Sequence, residues 1–188
     1  MKNKKAVKGQ YGYIKRQQKA VTLRTVLMFG LSLAIFGMGL WSVGTKKNLL
    51  TVVAVLGCLP ASKSAVSMIM FLRAKGCSEK VKEEVERCGE GLFQLYDMIF
   101  TSYEKNYQVS HMAISGRLVC GYTEDVKCDV KACGKHLDAL LKQGGCKGVT
   151  VKIYDRLEAY CEGLENLGKQ GAEPAPEEIL VNLLAVAL

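Results

Sequence analysis

The chain has 188 residues and a formal net charge of +8. All of that excess charge lies before Thr25, where basic residues stand without a single acidic residue. They are Lys2, Lys4, Lys5, Lys8, Lys15, Arg16, Lys19 and Arg24. The rest of the chain has as many acidic as basic residues, so the high isoelectric point does not predict a nucleic-acid-binding surface.

Residues 1–24 are predicted to form a basic arm in the cytoplasm, because positively charged segments beside a membrane span are retained on that side. Tyr11, Tyr13 and Ile14 stand among its lysines. Such an arm is expected to lie against anionic lipid headgroups, which contributes about 1 kcal/mol per basic side chain near the surface. The alternative is a disordered tail that only sets the topology.

Residues 25–45 contain no charged side chain and predict a first transmembrane helix. At about 1.5 Å per residue, a helix of this length covers about 31 Å, the thickness of a bilayer core. The main alternative is a signal peptide, whose apolar region is shorter. Ser42-Val43-Gly44 is also a weak cleavage site, so the sequence favours a retained span over a cleaved one or a buried soluble helix.

A second apolar run, Leu49 to Leu72, predicts another span, but it carries a polar stripe near its middle. The stripe consists of Pro60, Lys63, Ser64 and Ser67, and it is expected to face the first helix or a wet crevice. A lysine at the bilayer centre costs about 2.5–3.5 kcal/mol. Lys63 is either an intramembrane ligand or ion-path residue, or it snorkels or bonds to carbonyls freed by Pro60. In a variant topology, residues 61–72 lie in the interface.

Together, residues 25–72 predict a two-helix transmembrane hairpin joined by the polar tetrapeptide Thr45–Asn48. Basic residues follow the second run as well: Arg73, Lys75, Lys80 and Lys82. The predicted location is therefore the cell membrane, multi-pass, with both termini cytoplasmic. The eight cysteines show no compact disulfide framework and are interpreted as free thiols in a reducing compartment.

Residues 78–168 predict a small cytosolic α+β domain with the element order α-β-β-β-α-β-α. Ser78 and Asp129 can each cap a helix, and short turns between the first three strands indicate an antiparallel meander. The predicted elements are a helix to about Cys88, strands over 95–103, 107–114 and 117–122, a helix over 130–143, a strand over 149–153 and a helix ending at Gly168.

Residues 169–188 predict a flexible tail that ends in a short apolar helix, Glu177 to Leu188, opened by Pro176. This helix is too short to span a membrane. Docking on its own domain or on a partner is expected, and self-association through this helix or through the hairpin is a second possibility. Gly57, Ala61 and Ala65, spaced by four residues, offer a close-approach face in the hairpin.

The whole-chain pattern resembles uncharacterised two-span bacterial membrane proteins that carry a small cytosolic α+β domain. The resemblance is carried by the basic arm, by Cys58-Leu59-Pro60 leading to Lys63, and by Cys120-Gly121-Tyr122-Thr123. It implies a membrane location and a fold class, and it implies no activity.

One catalytic hypothesis comes from the order α-β-β-β-α-β, which is also the core order of restriction-endonuclease-like nucleases. These enzymes place an acid on the second strand and a D/E-x-K motif on the third. Asp97 and the D-x-K match Asp125-Val126-Lys127 are the candidates, but Asp97 falls on the first predicted strand and Asp125 after the third. The positions therefore favour a non-catalytic interpretation.

A weaker hypothesis is a zinc site at Cys128, Cys133 and His136. Their spacing is unusual for zinc and no fourth ligand is evident, so small apolar cysteines beside a surface histidine are the favoured interpretation. His111 has no catalytic partner in sequence. No nucleotide-binding loop or hydrolase triad stands out, and no cofactor is predicted.

These patterns predict a non-enzymatic membrane anchor that presents a cytosolic interaction domain to a protein partner or to a second copy of itself. The alternative is a membrane-tethered, restriction-endonuclease-like hydrolase that uses Asp97, Asp125 and Lys127.

Overall fold

The protein is a mixed α+β structure. A computed structural model describes residues 7–43, 49–103, 105–169 and 171–188, with six helices and one four-stranded sheet among them. The helices are α1 (Tyr13–Val43), α2 (Leu49–Arg73), α3 (Glu79–Cys88), α4 (Val130–Gln143), α5 (Leu157–Lys169) and α6 (Glu177–Val186). The strands are β1 (Phe93–Thr101), β2 (Asn106–Ser115), β3 (Leu118–Tyr122) and β4 (Thr150–Tyr154). The predicted α+β class and the order α-β-β-β-α-β-α are confirmed.

The chain divides into two compact units. One is Ile14–Ala74, which contains nearly all of α1 and the whole of α2. The other is built from the described residues of Met1–Tyr13 and Lys75–Leu188, and it contains the sheet and the four shorter helices. The tetrapeptide Thr45–Asn48, predicted as the loop between the two spans, lies outside the described residues.

Both long helices meet the requirements for a membrane span. The segments Tyr13–Gly39 and Val55–Arg73 are long and apolar enough to cross a bilayer, and little of either segment is buried in the protein. Most of the exposed large hydrophobic side chains among the described residues lie on α1 and α2, Leu31, Trp41 and Leu59 among them. A soluble protein rarely leaves so much contiguous apolar surface in water.

Within their own unit, α1 and α2 contact each other in antiparallel order along a seam of small and polar residues. Gln18 Nε2 donates to Phe71 O at 2.7 Å, and Thr25 Oγ1 lies 2.8 Å from Ser64 Oγ. A Cβ atom on Gly57 would lie 2.9 Å from the Ser32 hydroxyl oxygen. The contact positions recur every seven residues on both helices, the period of left-handed helix pairs.

The polar stripe predicted on α2 is only partly turned toward α1. Ser64 is buried against α1, whereas Pro60 and Lys63 are exposed in this unit. Ser67 Oγ donates back to the carbonyl oxygen of Lys63 at 3.2 Å, within the same helix. Pro60 and Lys63 therefore do not face α1, because their positions on the helix fall outside the seven-residue seam. For these two residues the wet crevice, the other predicted environment, stays a prediction.

We expect the Thr25–Ser64 hydrogen bond to contribute about 0.6 kcal/mol to the packing of α1 on α2, the typical value for such bonds between membrane helices. A double-mutant cycle of Thr25→Val and Ser64→Ala, measured by unfolding in mixed micelles, gives this coupling energy. The same cycle with Thr25→Val and Ser62→Ala should give no coupling energy, since Ser62 Oγ donates its hydrogen bond to Cys58 O within α2. Equal coupling energies in both cycles would contradict the predicted contact.

The sheet has the strand order β1-β2-β3-β4. The first three strands are antiparallel neighbours, so the predicted meander is confirmed, and β4 lies parallel to β3. A parallel pair needs a crossover connection, and α4 provides it. Because β3 is the one strand that pairs with β4 among the described residues, β4 forms an edge of the sheet.

Helices cover both faces of the sheet. One face packs against α4 and α6 through fully buried side chains, among them Phe100, Met112, Leu137 and Leu183. The other face packs against α3 and α5 through a second cluster that includes Val85, Ala113, Tyr160 and Leu164. The predicted caps are confirmed, since Ser78 Oγ accepts from Val81 N–H and Asp129 Oδ1 accepts from Lys131 and Ala132 N–H.

The outer edge of β1 is covered by segments from both ends of the described chain. Tyr96 N–H donates to Gly9 O at 2.8 Å, and Leu188 N–H donates to Ile99 O at 2.9 Å. Lys8 Nζ donates to Ala187 O at 2.7 Å, just after the end of α6. The described part of the basic arm before Tyr13 thus packs on the α+β unit, and the predicted tail helix α6 docks on its own domain.

Candidate functional site

Asp97 lies on β1 and is almost fully buried. Its backbone has φ +57°, a left-handed conformation that is unusual for any residue except glycine. One carboxylate oxygen, Oδ1, accepts a hydrogen bond from Cys77 N–H at 2.7 Å. This aspartate therefore holds the backbone of the segment that precedes α3.

The left-handed conformation of Asp97 also reverses the alternation of side chains along β1. Leu95 and Met98 both lie in the core under α4 and α6, three residues apart, whereas a regular strand places residues two apart on the same face. Tyr96 lies in the opposite core. Regular alternation would place Tyr96, Met98 and Phe100 on one side of β1, but Tyr96 lies on the opposite side from the other two.

Asp125 and Lys127 lie in the loop between β3 and α4. Asp125 Oδ1 accepts from Lys127 N–H at 3.0 Å, and Asp125 N–H donates to Thr123 Oγ1 at 3.1 Å. The D-x-K motif thus forms a local turn, in which the aspartate side chain bonds the backbone two residues on. Among the described residues, no group of three His, Cys, Asp or Glu side chains could hold a metal ion.

Cys128 and Cys133 are neighbours, and His136 has other partners. Cys128 directly precedes the capping Asp129, and Cys133 lies in the first turns of α4, the two positions of a hydrophobic staple. A hydrogen bond from Cys133 lowers the pKa of the half-buried Cys128 thiol. His136 Nε2 lies 3.1 Å from Thr101 O. The hydrophobic staple at the start of α4 explains why the two cysteines are in contact, and a zinc ion is not needed to explain it.

His111, which has no catalytic partner in sequence, lies at the centre of a buried polar network. Its Nδ1 is 2.7 Å from Tyr160 Oη, and its Nε2 is 3.3 Å from Gln94 Oε1. Tyr96 Oη donates to the same Gln94 oxygen at 2.7 Å. Since Gln94 Oε1 can only accept, His111 Nε2 carries a hydrogen and donates to it. Tyr160 Oη also lies 3.4 Å from Cys120 O.

Burial lowers the pKa of His111 to about 3 and raises the pKa of Tyr160 well above its ordinary value. Both side chains are inaccessible to solvent, so no substrate can reach them in this structure. The network therefore stabilises the packing of α5 on the sheet. Sequence reasoning missed it because its members come from β1, β2 and α5 and no local motif connects them.

A second group that the sequence did not reveal holds residues 75–78 on the end of the sheet. Beside the Asp97 bond, Ser78 N–H donates to Glu124 Oε2 at 2.9 Å, and Lys75 N–H donates to Gln108 Oε1 at 3.0 Å. Glu124 is the second residue after the end of β3. These side chains accept hydrogen bonds from backbone N–H groups and so fix residues 75–78 on the sheet.

A groove runs along β4 on the surface of the α+β unit. It has a volume of about 610 Å³ and is lined by α4 and by every residue of β4. Consecutive residues of the strand line it, so the groove follows the strand edge. Its charged lining residues are Lys131, Lys135, Lys152 and Asp138. We take this groove and the β4 edge together as the candidate functional site.

No protein-family model matches this chain, and no curated protein or solved structure is similar enough to it to count as a match. The fold and the site define an α+β protein with two helices of membrane-spanning length and an open sheet edge. Its function is therefore inferred from geometry and chemistry alone.

Proposed function

We propose that this protein is a non-enzymatic membrane anchor that presents an interaction domain to a protein partner in the cytoplasm. In this proposal α1 and α2 cross the bilayer as a hairpin, and the α+β unit lies on the side of both termini. The observation that carries the proposal is the exposed apolar surface of α1 and α2.

The energetics of insertion support the hairpin. Each exposed Leu, Ile, Val or Phe contributes about −0.3 to −0.6 kcal/mol at the bilayer centre. The many such residues on α2 offset the cost of the single Lys63, about 2.5–3.5 kcal/mol. Hydrogen bonds between Thr25 and Ser64 and from Gln18 to Phe71 O pair polar groups that lipid would otherwise leave without partners.

The orientation is supported by charge and by cysteine chemistry. Basic residues cluster before Thr25 and again after Leu72, the two ends of the hairpin. None of the eight cysteines, each among the described residues, forms a disulfide, although Cys128 and Cys133 lie within hydrogen-bond reach of each other. Such neighbouring free thiols are expected in a reducing compartment.

An interaction role is supported by how the candidate catalytic side chains are used. The two candidate carboxylates, Asp97 and Asp125, accept hydrogen bonds from backbone N–H groups. His111, which is not a catalytic candidate, is buried in the core. The groove along β4, by contrast, is open, and an uncovered strand edge suits an extended macromolecular ligand.

Membrane extraction and thiol labelling test the proposal. We expect the full chain to stay in the membrane pellet after alkaline carbonate treatment and to be released by detergent. A membrane-impermeant maleimide should leave the native chain unlabelled in intact cells and label it after permeabilisation. In the Lys46→Cys variant, labelling should occur in intact cells.

Two outcomes would contradict this proposal. Release by carbonate would exclude transmembrane helices, since only detergent extracts a spanning helix. Labelling of the native cysteines in intact cells, at the rate seen for Lys46→Cys, would place the α+β unit outside the cell.

A further inference from the structure

The two edges of the sheet differ in how they are protected. The edge at β1 is covered by hydrogen bonds from Gly9 and Leu188. Among the described residues, no strand pairs with the outer edge of β4. Exposed edges attract other strands, and proteins normally cover or charge them. Within the described chain the β4 edge is left uncovered and carries Lys152 at its centre instead, so its charge decides which strand can pair with it.

The backbone of β4 presents hydrogen-bonding groups along this open edge. Thr150 N–H donates to Arg117 O at 2.9 Å, and Tyr154 O accepts from Thr123 N–H at 3.0 Å. In a parallel pair, alternate residues point their N–H and C=O groups to opposite sides of the strand. Residues 150, 152 and 154 therefore bond β3, and Val151 and Ile153 point their N–H and C=O groups into the groove.

The charged side chains that line the groove determine which ligand charge it favours. Lys131 and Lys135 line the groove from α4, and Lys152 lines it from the strand. The one acidic lining residue, Asp138, is paired with Lys142 at 2.6 Å, which offsets its charge. The groove is therefore positive, and an acidic ligand complements it.

A second copy of the chain fits this edge poorly. Lys152 is the central residue of β4. Antiparallel pairing of the whole strand with its own copy would place Lys152 opposite Lys152, and like charges directly opposite each other destabilise a strand pair. An acidic strand from another protein meets no such repulsion.

We infer that the β4 edge binds an extended acidic peptide segment of a partner protein, which adds to the sheet as a further strand. Main-chain hydrogen bonds to Val151 and Ile153 provide affinity, and the lysines select acidic side chains. The inference deepens the proposed function by naming the chemistry of the partner.

Peptide binding to the purified full chain in neutral detergent tests the inference. The probe is a fluorescent peptide of about eight residues in which Glu alternates with Val, and the comparison peptide has Lys in place of Glu. We expect the acidic peptide alone to bind, with an affinity that falls as salt is added. Hydrogen exchange at the Val151 and Ile153 amides should slow on binding.

Variants then assign the binding to the edge. The double variant Lys131→Glu/Lys135→Glu should weaken binding by about tenfold, because two attractive charges become repulsive. The control Lys80→Glu makes the same kind of change on the exposed surface of α3 and should leave affinity unchanged. Val151→Pro removes an outward N–H without breaking the bonds to β3, and it should abolish binding while far-UV circular dichroism is retained.

Several results would overturn the inference. One is failure of the acidic peptide to bind, and another is a Lys131→Glu/Lys135→Glu variant that binds it as tightly as the native protein does. A third is hydrogen exchange at the Val151 and Ile153 amides that is the same with and without peptide. A dimer that Val151→Pro dissociates would instead assign the edge to a second copy. Lysine-dependent binding to anionic but not zwitterionic vesicles, without peptide binding, would assign it to lipid. Because the assay uses purified protein in detergent, its result is independent of the membrane-extraction and labelling tests.

Discussion

Acidification from about pH 7 to pH 5 should lower the free energy of unfolding by about 2 kcal/mol through His111 alone. The pKa of this buried side chain is about 3 in the folded protein, whereas an unfolded histidine has a pKa near 6.5. As the pH falls through about 6.5, the unfolded chain gains a proton that the folded chain does not take up. Stability is therefore lost as the pH falls, and the loss ends only below about pH 3, where it totals about 5 kcal/mol.

Chemical denaturation of the full chain in detergent, repeated across this pH range, measures the effect. The variant His111→Gln should lose this component of the pH dependence, although it is less stable than the native protein at neutral pH. The sequence contains one other histidine, the half-buried His136 on α4, and His136→Gln is the control for loss of an imidazole outside the buried network. An equal slope of stability against pH in native protein and His111→Gln would contradict the prediction.

The substitution Asp97→Ala should lower the free energy of unfolding by about 2–3 kcal/mol. It leaves the buried Cys77 N–H without the acceptor that lies at 2.7 Å, which costs about 1–3 kcal/mol. Alanine also tolerates the left-handed backbone less well than aspartate. Hydrogen exchange at the Cys77 amide should become faster, because the bond that protects it is lost.

Asp97→Asn is the matched control. Asparagine keeps an acceptor oxygen at the same place and is tolerated in the left-handed conformation, so we expect a loss of less than about 1 kcal/mol. This pair of variants also separates structure from catalysis, since a metal-binding carboxylate would be impaired by both substitutions. If Asp97→Ala were as stable as the native protein, Asp97 would not be needed to hold the backbone at Cys77.

Most of the elements of the α+β unit could be predicted because their signals are local. Ser78 and Asp129 cap α3 and α4 as predicted, and the short turns around Asn106 and Gly116 separate antiparallel neighbours. Caps and tight turns depend on a few adjacent residues, so a sequence shows them directly.

The facing of β1 and β2 could not be predicted because alternation breaks inside both strands. The left-handed Asp97 shifts the pattern on β1, and on β2 both Val109 and Met112 lie in the core under α4 and α6. The two changes of facing lie opposite each other, at Asp97 on β1 and near Ser110 on β2. The two strands therefore keep the same pairing register along their length. Alternation of apolar residues in one strand does not show where the side chains change face, because that change is matched on the neighbouring strand.

The candidate site was missed for a related reason. Lys131, Lys135 and Lys152 are ordinary surface lysines in sequence, and nothing local distinguishes β4 from a central strand. Only the sheet order makes β4 an edge, and only the docking of Gly9 and Leu188 on β1 shows that the opposite edge is covered.

The sequence by itself determined the apolar character of the two long helices, the basic charge before Thr25 and the order of elements after them. These properties follow from composition, local propensity and hydrophobic periodicity, which act over short stretches of chain. Tertiary structure alone decided which side chains are buried together, as with His111 and Tyr160, and which strand edge stays open. Those features depend on contacts between residues far apart in the chain, which form only when the sheet and its covering helices assemble.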